Sequence, residues 1–336
     1  MSKQLISILA LFTFLRWTSL PANAQQPLTE VLVGKTFINA VPASFWIGTD
    51  RGFFKKYGLE IKIIQFTGNT IGTQALLAGS IPFLMAGPHS SLAARAGGAD
   101  LVEIATLSPA MPYLMIASKQ IKSPDGLKGK ILGVAGIGLT GSYIAAVIGL
   151  RNLGLDPKRD KITIIATGTE TERLAALSRG RIDATVIDQA YKPTIEKDGY
   201  SILADLGARG VPWEHDVLLT TGQFLKGNFD LAEKLLKGLL EANAFILNPA
   251  NKEIVKKVLV KQLGDKMGDG SVAYDQLVSL WIKPRPYANR KGLQSIIDEI
   301  KLINPAVANV KLDDFVNDAI LRKLDQNGFI DSLYKK

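Results

Sequence analysis

From Val31 onward, short apolar runs alternate with stretches of helical periodicity, and this alternation restricts the fold more than any other feature. Short apolar runs separated by helices fit strands that are buried on both faces, and the helical crossovers force those strands into a mostly parallel sheet. Residues 31–37, 59–66 and 81–85 read as the first three strands, with helices over 42–50 and 71–78 between them. Ligands of open α/β sheets sit beyond the carboxyl ends of the strands. The loops at 38–41, 67–70 and 87–90 are therefore the places to look for a site.

A second set of units begins near Ile121, where Ser123-Pro124-Asp125-Gly126 makes a turn. Strands are expected at 131–135, 162–165 and 182–187, a glycine-rich loop at 136–141, and helices up to Leu153 and over 170–178. Residues 206–213 hold two glycines and a proline, and 215–220 again read as a strand, so the chain leaves one lobe and returns to the other. From Phe229 the pattern is nearly all helical, at 231–247, 252–263, 272–281, 291–303 and 313–324. These amphipathic segments are expected to cover the first lobe. The lobes are placed at 25–118 with 214–336, and at 119–213, a length that allows two separate cores.

The amino terminus reads as a secretory leader over residues 1–24: Lys3, an apolar run at 5–15, and a small-residue cleavage site at Ala22-Asn23-Ala24. That run is about half of the roughly 20 residues that span a bilayer. The expected location is the periplasm, in soluble form. The chain has no cysteine, which excludes disulfides, a cysteine nucleophile, thiolate metal sites and a lipid anchor. The net charge is +9; Lys3 and Arg16 fall in the leader, and nine less these two leaves +7. The basic residues are scattered, without the dense stripe of a nucleic-acid binder. With only two histidines, no metal-ligand spacing arises, and neither a cofactor, a metal nor a catalytic residue is expected.

The segment WIGTDRGFFKKYGLEIKI (46–63) resembles the opening of the nitrate/sulfonate/taurine-type substrate-binding proteins of ABC transporters, the NitT/TauT and SsuA/THI5-like group. GNTIGTQALLAGSIPFLMAGPHS (68–90), LKGKILGVAGIGLTGSY (127–143), LGLDPKRDKITII (153–165) and LAALSRGRIDATVID (174–188) are similar to further parts of that family. The resemblance implies a type II periplasmic-binding-protein fold, with two α/β lobes hinged about a ligand cleft and a helical C-terminal region. It also implies a binding protein rather than an enzyme: a monomer that delivers a small organic molecule, expected to be anionic, to an ABC permease in the inner membrane. Two alternatives share the fold, an enzyme of thiamine-precursor synthesis and a ligand sensor for a receptor. The enzymes rely on cysteine- and histidine-rich motifs that this chain lacks.

The candidate ligand contacts come from the strand-end loops. Residues 136–141 are formally GxGxxG, yet the next strand ends Ile165-Ala166-Thr167 without the acid that a dinucleotide ribose needs. The loop is then either a plain tight turn or an anion-binding helix start, with Thr140 and Ser142 facing the cleft. Asn69 and Thr70 follow the second strand, with Asn69 either a ligand donor or a helix cap. His89 and Ser90 close the third. Ser44, Phe45 and Trp46 offer an aromatic wall or a piece of core. Asp188 and Gln189 end a strand of the second lobe, where Asp188 suits a ligand amine or hydroxyl. Trp213 lies where the chain crosses back.

Overall fold

The computed structural model describes residues 27–264 and 268–335, and the expected leader lies outside the described residues. Two five-stranded sheets organise the chain. The first contains β1 (Thr29–Lys35), β2 (Leu59–Gln65), β3 (Phe83–Ala86), β4 (Val102–Ser108) and β10 (Asp216–Thr220), in the order β2-β1-β3-β10-β4. The second contains β5 (Tyr113–Ala117), β6 (Ile131–Val134), β7 (Thr163–Ala166), β8 (Ala184–Asp188) and β9 (Ser201–Asp205), in the order β7-β6-β8-β5-β9. β1 runs parallel to β2 and β3, and β6 parallel to β7 and β8. The strands next to the crossings, β10 and β5, are antiparallel to their neighbours.

The predicted βα units therefore stand, and the glycines between helix and strand take the left-handed conformation, with φ of 75° at Gly58 and 65° at Gly180. Three strands had not been assigned from the sequence: β4, β5 and β9. The first of these is buried along its whole length and β5 along all but its first residue, so neither shows the alternation that marks a half-exposed strand. The placement of β5 also moves the lobe boundary. Residues up to 118 were expected in the first lobe, but Pro109 and Pro112 end the ladder of β4, and the chain has already joined the second sheet at Tyr113. The return crossing runs from Leu206 to His215.

One expectation about the C-terminal helices is corrected. Helix Phe229–Leu247 does pack on the first lobe, against Ala43–Asp50 and Phe53–Lys56. Helix Arg290–Ile300, in contrast, rests on helix Pro88–Ala96 of the first lobe and on helix Gly141–Asn152 of the second, with an Arg151–Glu299 ion pair between them. The cores are not separate either. One apolar cluster runs from Leu84 and Leu92 through Trp213, Leu293 and Ile297 to Met115, Ile144 and Val186, so the lobes share buried surface.

Asn289 holds the two crossings together. Its side-chain amide donates to the carbonyls of Pro109 (3.0 Å) and Trp213 (2.8 Å), one on each crossing strand. Its Oδ1 accepts from Gly292 N at 3.1 Å and so caps helix Arg290–Ile300, while its own N–H donates to Glu214 Oε2 at 2.6 Å. Every polar atom of that side chain is used, which is what a buried amide requires.

Candidate ligand cleft

The carboxyl ends of β1, β2, β3, β6 and β8 point toward the gap between the sheets, and β10 enters the first sheet from the same side. The first lobe contributes a linked set. Asn69 Nδ2 donates to His89 Nε2 at 2.8 Å, and the Thr36 hydroxyl donates to Asn69 Oδ1. The network makes Nε2 of His89 the acceptor, and burial pushes the imidazole down to about 4, so the ring is neutral. His215 is neutral as well: burial and the neighbouring His89 lower it to about 3. Its Nδ1 accepts from Trp213 Nε1 at 3.3 Å, which leaves the proton on Nε2, 3.5 Å from Asp216 Oδ2.

The second lobe meets this set with an aromatic ring and acids. Tyr113 lies edge to face with His215, centroids 5.5 Å apart, and its hydroxyl closes on Gly141, leaving only 3.2 Å to where a β-carbon there would sit. Asp188 is buried, and its Oδ1 accepts from Ala190 N at 2.8 Å and from Gln276 Nε2 at 2.7 Å. Gln276 belongs to helix Ser271–Gln276 of the C-terminal region, so this bond joins the halves. Burial first, and then the nearby Glu170, raise Asp188 to about 7. Asp216 is pushed well above the usual carboxylate range by burial and by Asp188, against a hydrogen bond from Asn39.

These strand ends surround one buried polar centre, built by two lobes and reached through two crossings. The profile of the family described as NMT1/THI5 like matches residues 39–252. The chain belongs to that family. A curated relative is the formylaminopyrimidine-binding protein of Halalkalibacterium halodurans, 24% identical over 208 residues, 60% of this chain and 61% of that one. The crystal structure of the periplasmic aliphatic sulphonate binding protein SsuA from Escherichia coli matches with a TM-score of 0.69 at 20% identity, over 85% of this chain and 91% of that one. The periplasmic nitrate-binding protein NrtA from Synechocystis PCC 6803 gives 0.69 at 15% identity, over 89% of each. At those identities the two structures establish the periplasmic-binding-protein fold, and the two-lobed α/β architecture with its helical C-terminal region agrees with it.

Within this NMT1/THI5-like frame the sequence candidates divide. Asn69, His89 and Asp188 reach the centre, and Ser90 Oγ is buried beside His89 without a partner. Thr70 is exposed on the first turn of helix Asn69–Leu77. The hydroxyls of Thr140 and Ser142 are turned inward. Thr140 caps its helix by accepting from Tyr143 N and donates to Gly136 O at 2.6 Å, while Ser142 accepts from Ala135 N at 2.8 Å. Ser44, Phe45 and Trp46 lie in the first core: Ser44 donates to Asn243 at 2.5 Å, Phe45 stacks on Phe54, and Trp46 is 6% exposed. Gln189 is tied to Asp205 at 2.7 Å inside the second lobe, and Trp213 is 1% exposed beneath helix Arg290–Ile300. Tyr113, Asp216 and Gln276 were not foreseen, while Asn39 lies in the 38–41 loop expected to border the site without having been singled out. Only a proline-bounded strand start at 113 hinted at the first of them.

Proposed function

We propose that the chain is the extracytoplasmic solute-binding component of an ABC-type uptake system, holding a small organic molecule between its lobes and presenting it to a permease in the inner membrane. The observation that carries this reading is the convergence of strand ends from both sheets on one buried polar centre, joined across the gap by the Asp188–Gln276 hydrogen bond. A ligand there contacts both lobes only when they are together. Closure is favoured by the difference in affinity between the closed and open forms, and about two or three charge-assisted bonds formed only on closing suffice to shift the population. The relatives named as binding proteins support capture rather than catalysis. No helix among the described residues is long and apolar enough to cross a membrane, which fits a protein that meets its permease from outside.

The test is a thermal-shift screen of the chain without residues 1–24 against alkanesulfonates, nitrate, carboxylates and aminopyrimidines, followed by small-angle scattering with any compound that raises the melting temperature. A smaller radius of gyration on binding is expected. A scattering profile unchanged by every compound, with no rise in melting temperature, would refute the proposal.

A further inference from the structure

Resting on the cleft-binding reading above, we propose that the ligand presents a cationic or N–H-rich nitrogen group to Asp188 and Asp216, and that the cleft discriminates against simple anions. This departs from the anionic ligand expected above and extends the reading of Asp188 as a partner for a ligand amine.

The argument begins with Asp216. The residue is 4% exposed, sits at the cleft end of β10, and its Oδ2 is buried with no hydrogen-bond partner. His215 Nε2 lies 3.5 Å away, outside hydrogen-bond geometry. Ser108, its register partner on β4, has a hydroxyl that is buried and unpartnered too. A carboxylate oxygen left bare in a protein interior is costly unless something donates to it, so the arrangement is that of an acceptor awaiting a donor.

Among the described residues that touch Asp188 and Asp216, no cation answers this demand; Lys35, at the end of β1, lies over the Trp46 ring at 5.7 Å, and burial lowers its pKa. Asp188, Asp216 and Glu170 are three buried or half-buried acids close enough to influence one another. Arg173 is the buried cation near them, and its guanidinium is already engaged: Nη1 donates to Gly168 O (2.7 Å), Nη2 to Val186 O (3.2 Å), Nε to Thr185 Oγ1 (3.1 Å), with Glu170 at 3.6 Å. Its charge therefore offsets Glu170. Both histidines face the site uncharged. The neutral ring of Tyr113 forms a wall beside the acids, a surface on which a flat or quaternary nitrogen cation rests favourably. An incoming sulfonate or nitrate meets acceptors and no free cation among these groups. An amidinium, ammonium or amino-heteroaromatic meets donors' natural partners.

The experiment titrates the chain without residues 1–24 with benzamidinium and 4-aminopyrimidine, and with benzoate, methanesulfonate and nitrate as opposites, using calorimetry. Wild-type protein is expected to bind a nitrogen compound and to ignore the anions. Asp216→Asn and Asp188→Asn are each expected to weaken that binding by about tenfold or more, since each removes a charge-assisted bond. Their melting temperatures without ligand are expected to hold or rise, because burial disfavours the charged form of both acids and the amide avoids the cost of ionising there. A further readout needs no variant. Burial first, and then Glu170, raise Asp188 to about 7 against its hydrogen bonds from Ala190 and Gln276, with Tyr113, Tyr191, Asp216 and Arg173 as the other titratable or charged groups nearby. Benzamidinium binding near that pH should therefore release protons, visible as a dependence of the heat on buffer ionisation enthalpy. Binding of the anions in place of the nitrogen compounds, or nitrogen-compound binding unchanged by both substitutions and without proton release, overturns the proposal while leaving the cleft-binding reading intact. Silence from every compound overturns both.

Discussion

Replacing Glu214 by glutamine should make the protein more heat-stable in mildly alkaline solution and leave it unchanged in acid. Glu214 is fully buried beside the crossing strands, its Oε1 accepting from the Thr106 hydroxyl and its Oε2 from Asn289 N. Glu103, equally buried, has no hydrogen-bond partner on either oxygen and lies close enough to be raised by Glu214. Burial above all raises Glu214 from its ordinary 4.5 to about 8. An acid raised on folding contributes stability that is complete below 4.5 and is lost as pH rises through about 8. Each unit corresponds to about 1.4 kcal/mol, so the wild type forfeits on the order of 5 kcal/mol across that window. Water entry and relaxation around the pair reduce this to about 2 kcal/mol. Glutamine mimics the protonated form: its oxygen still accepts from Asn289 N, and its amide donates to Thr106. At about 2–4 °C per kcal/mol, Glu214→Gln should melt roughly 4–8 °C higher than wild type near pH 8, with the gap closing toward pH 4.5. Differential scanning calorimetry over that range reads it directly. Parallel curves at all pH values, or a less stable variant at the alkaline end, would refute the reasoning.

Gln276→Ala removes the bond from the C-terminal region to the Asp188 carboxylate. A bond to a charged group is worth about 1.5–3 kcal/mol, so the closed-to-open ratio should fall by about tenfold or more, read as a larger radius of gyration in solution scattering. Gly292→Ala places a β-carbon 2.2 Å from the Trp213 carbonyl carbon and 2.6 Å from Glu214 N, both backbone atoms that cannot swing aside. Urea unfolding should show a loss of about 1–3 kcal/mol or more.

The fold was readable because each βα unit carries its own local signals. Gly58 and Gly180 end helices, and the apolar runs at β1, β2, β6 and β8 are short and bounded by turn residues. What escaped was set by distant contacts. β4 is buried throughout although Glu103, Thr106 and Ser108 are polar, so its polar positions do not mark a solvent face and its sequence does not announce a central strand. Helix Arg290–Ile300 has one strongly apolar face, yet its sequence does not tell that this face spans both lobes. The site followed the same division. Asn69, His89 and Asp188 are strand-end residues and could be located by that rule alone. Trp46 occupies a similar position but belongs to the core, because the short helix Ala43–Asp50 turns its side chains toward helix Phe229–Leu247. Asp216 and Gln276 reach the cleft from segments more than two hundred residues into the chain, and no spacing rule connects them to Asp188.

Because a single asparagine grips both connecting strands, neither can bend without dragging the other. Any parting of the halves would therefore turn on one common pin rather than on two loose straps. That pin caps the helix that leans on both sides, and because its partner Trp213 also donates to His215, the restraint on the crossings adjoins the polar centre itself.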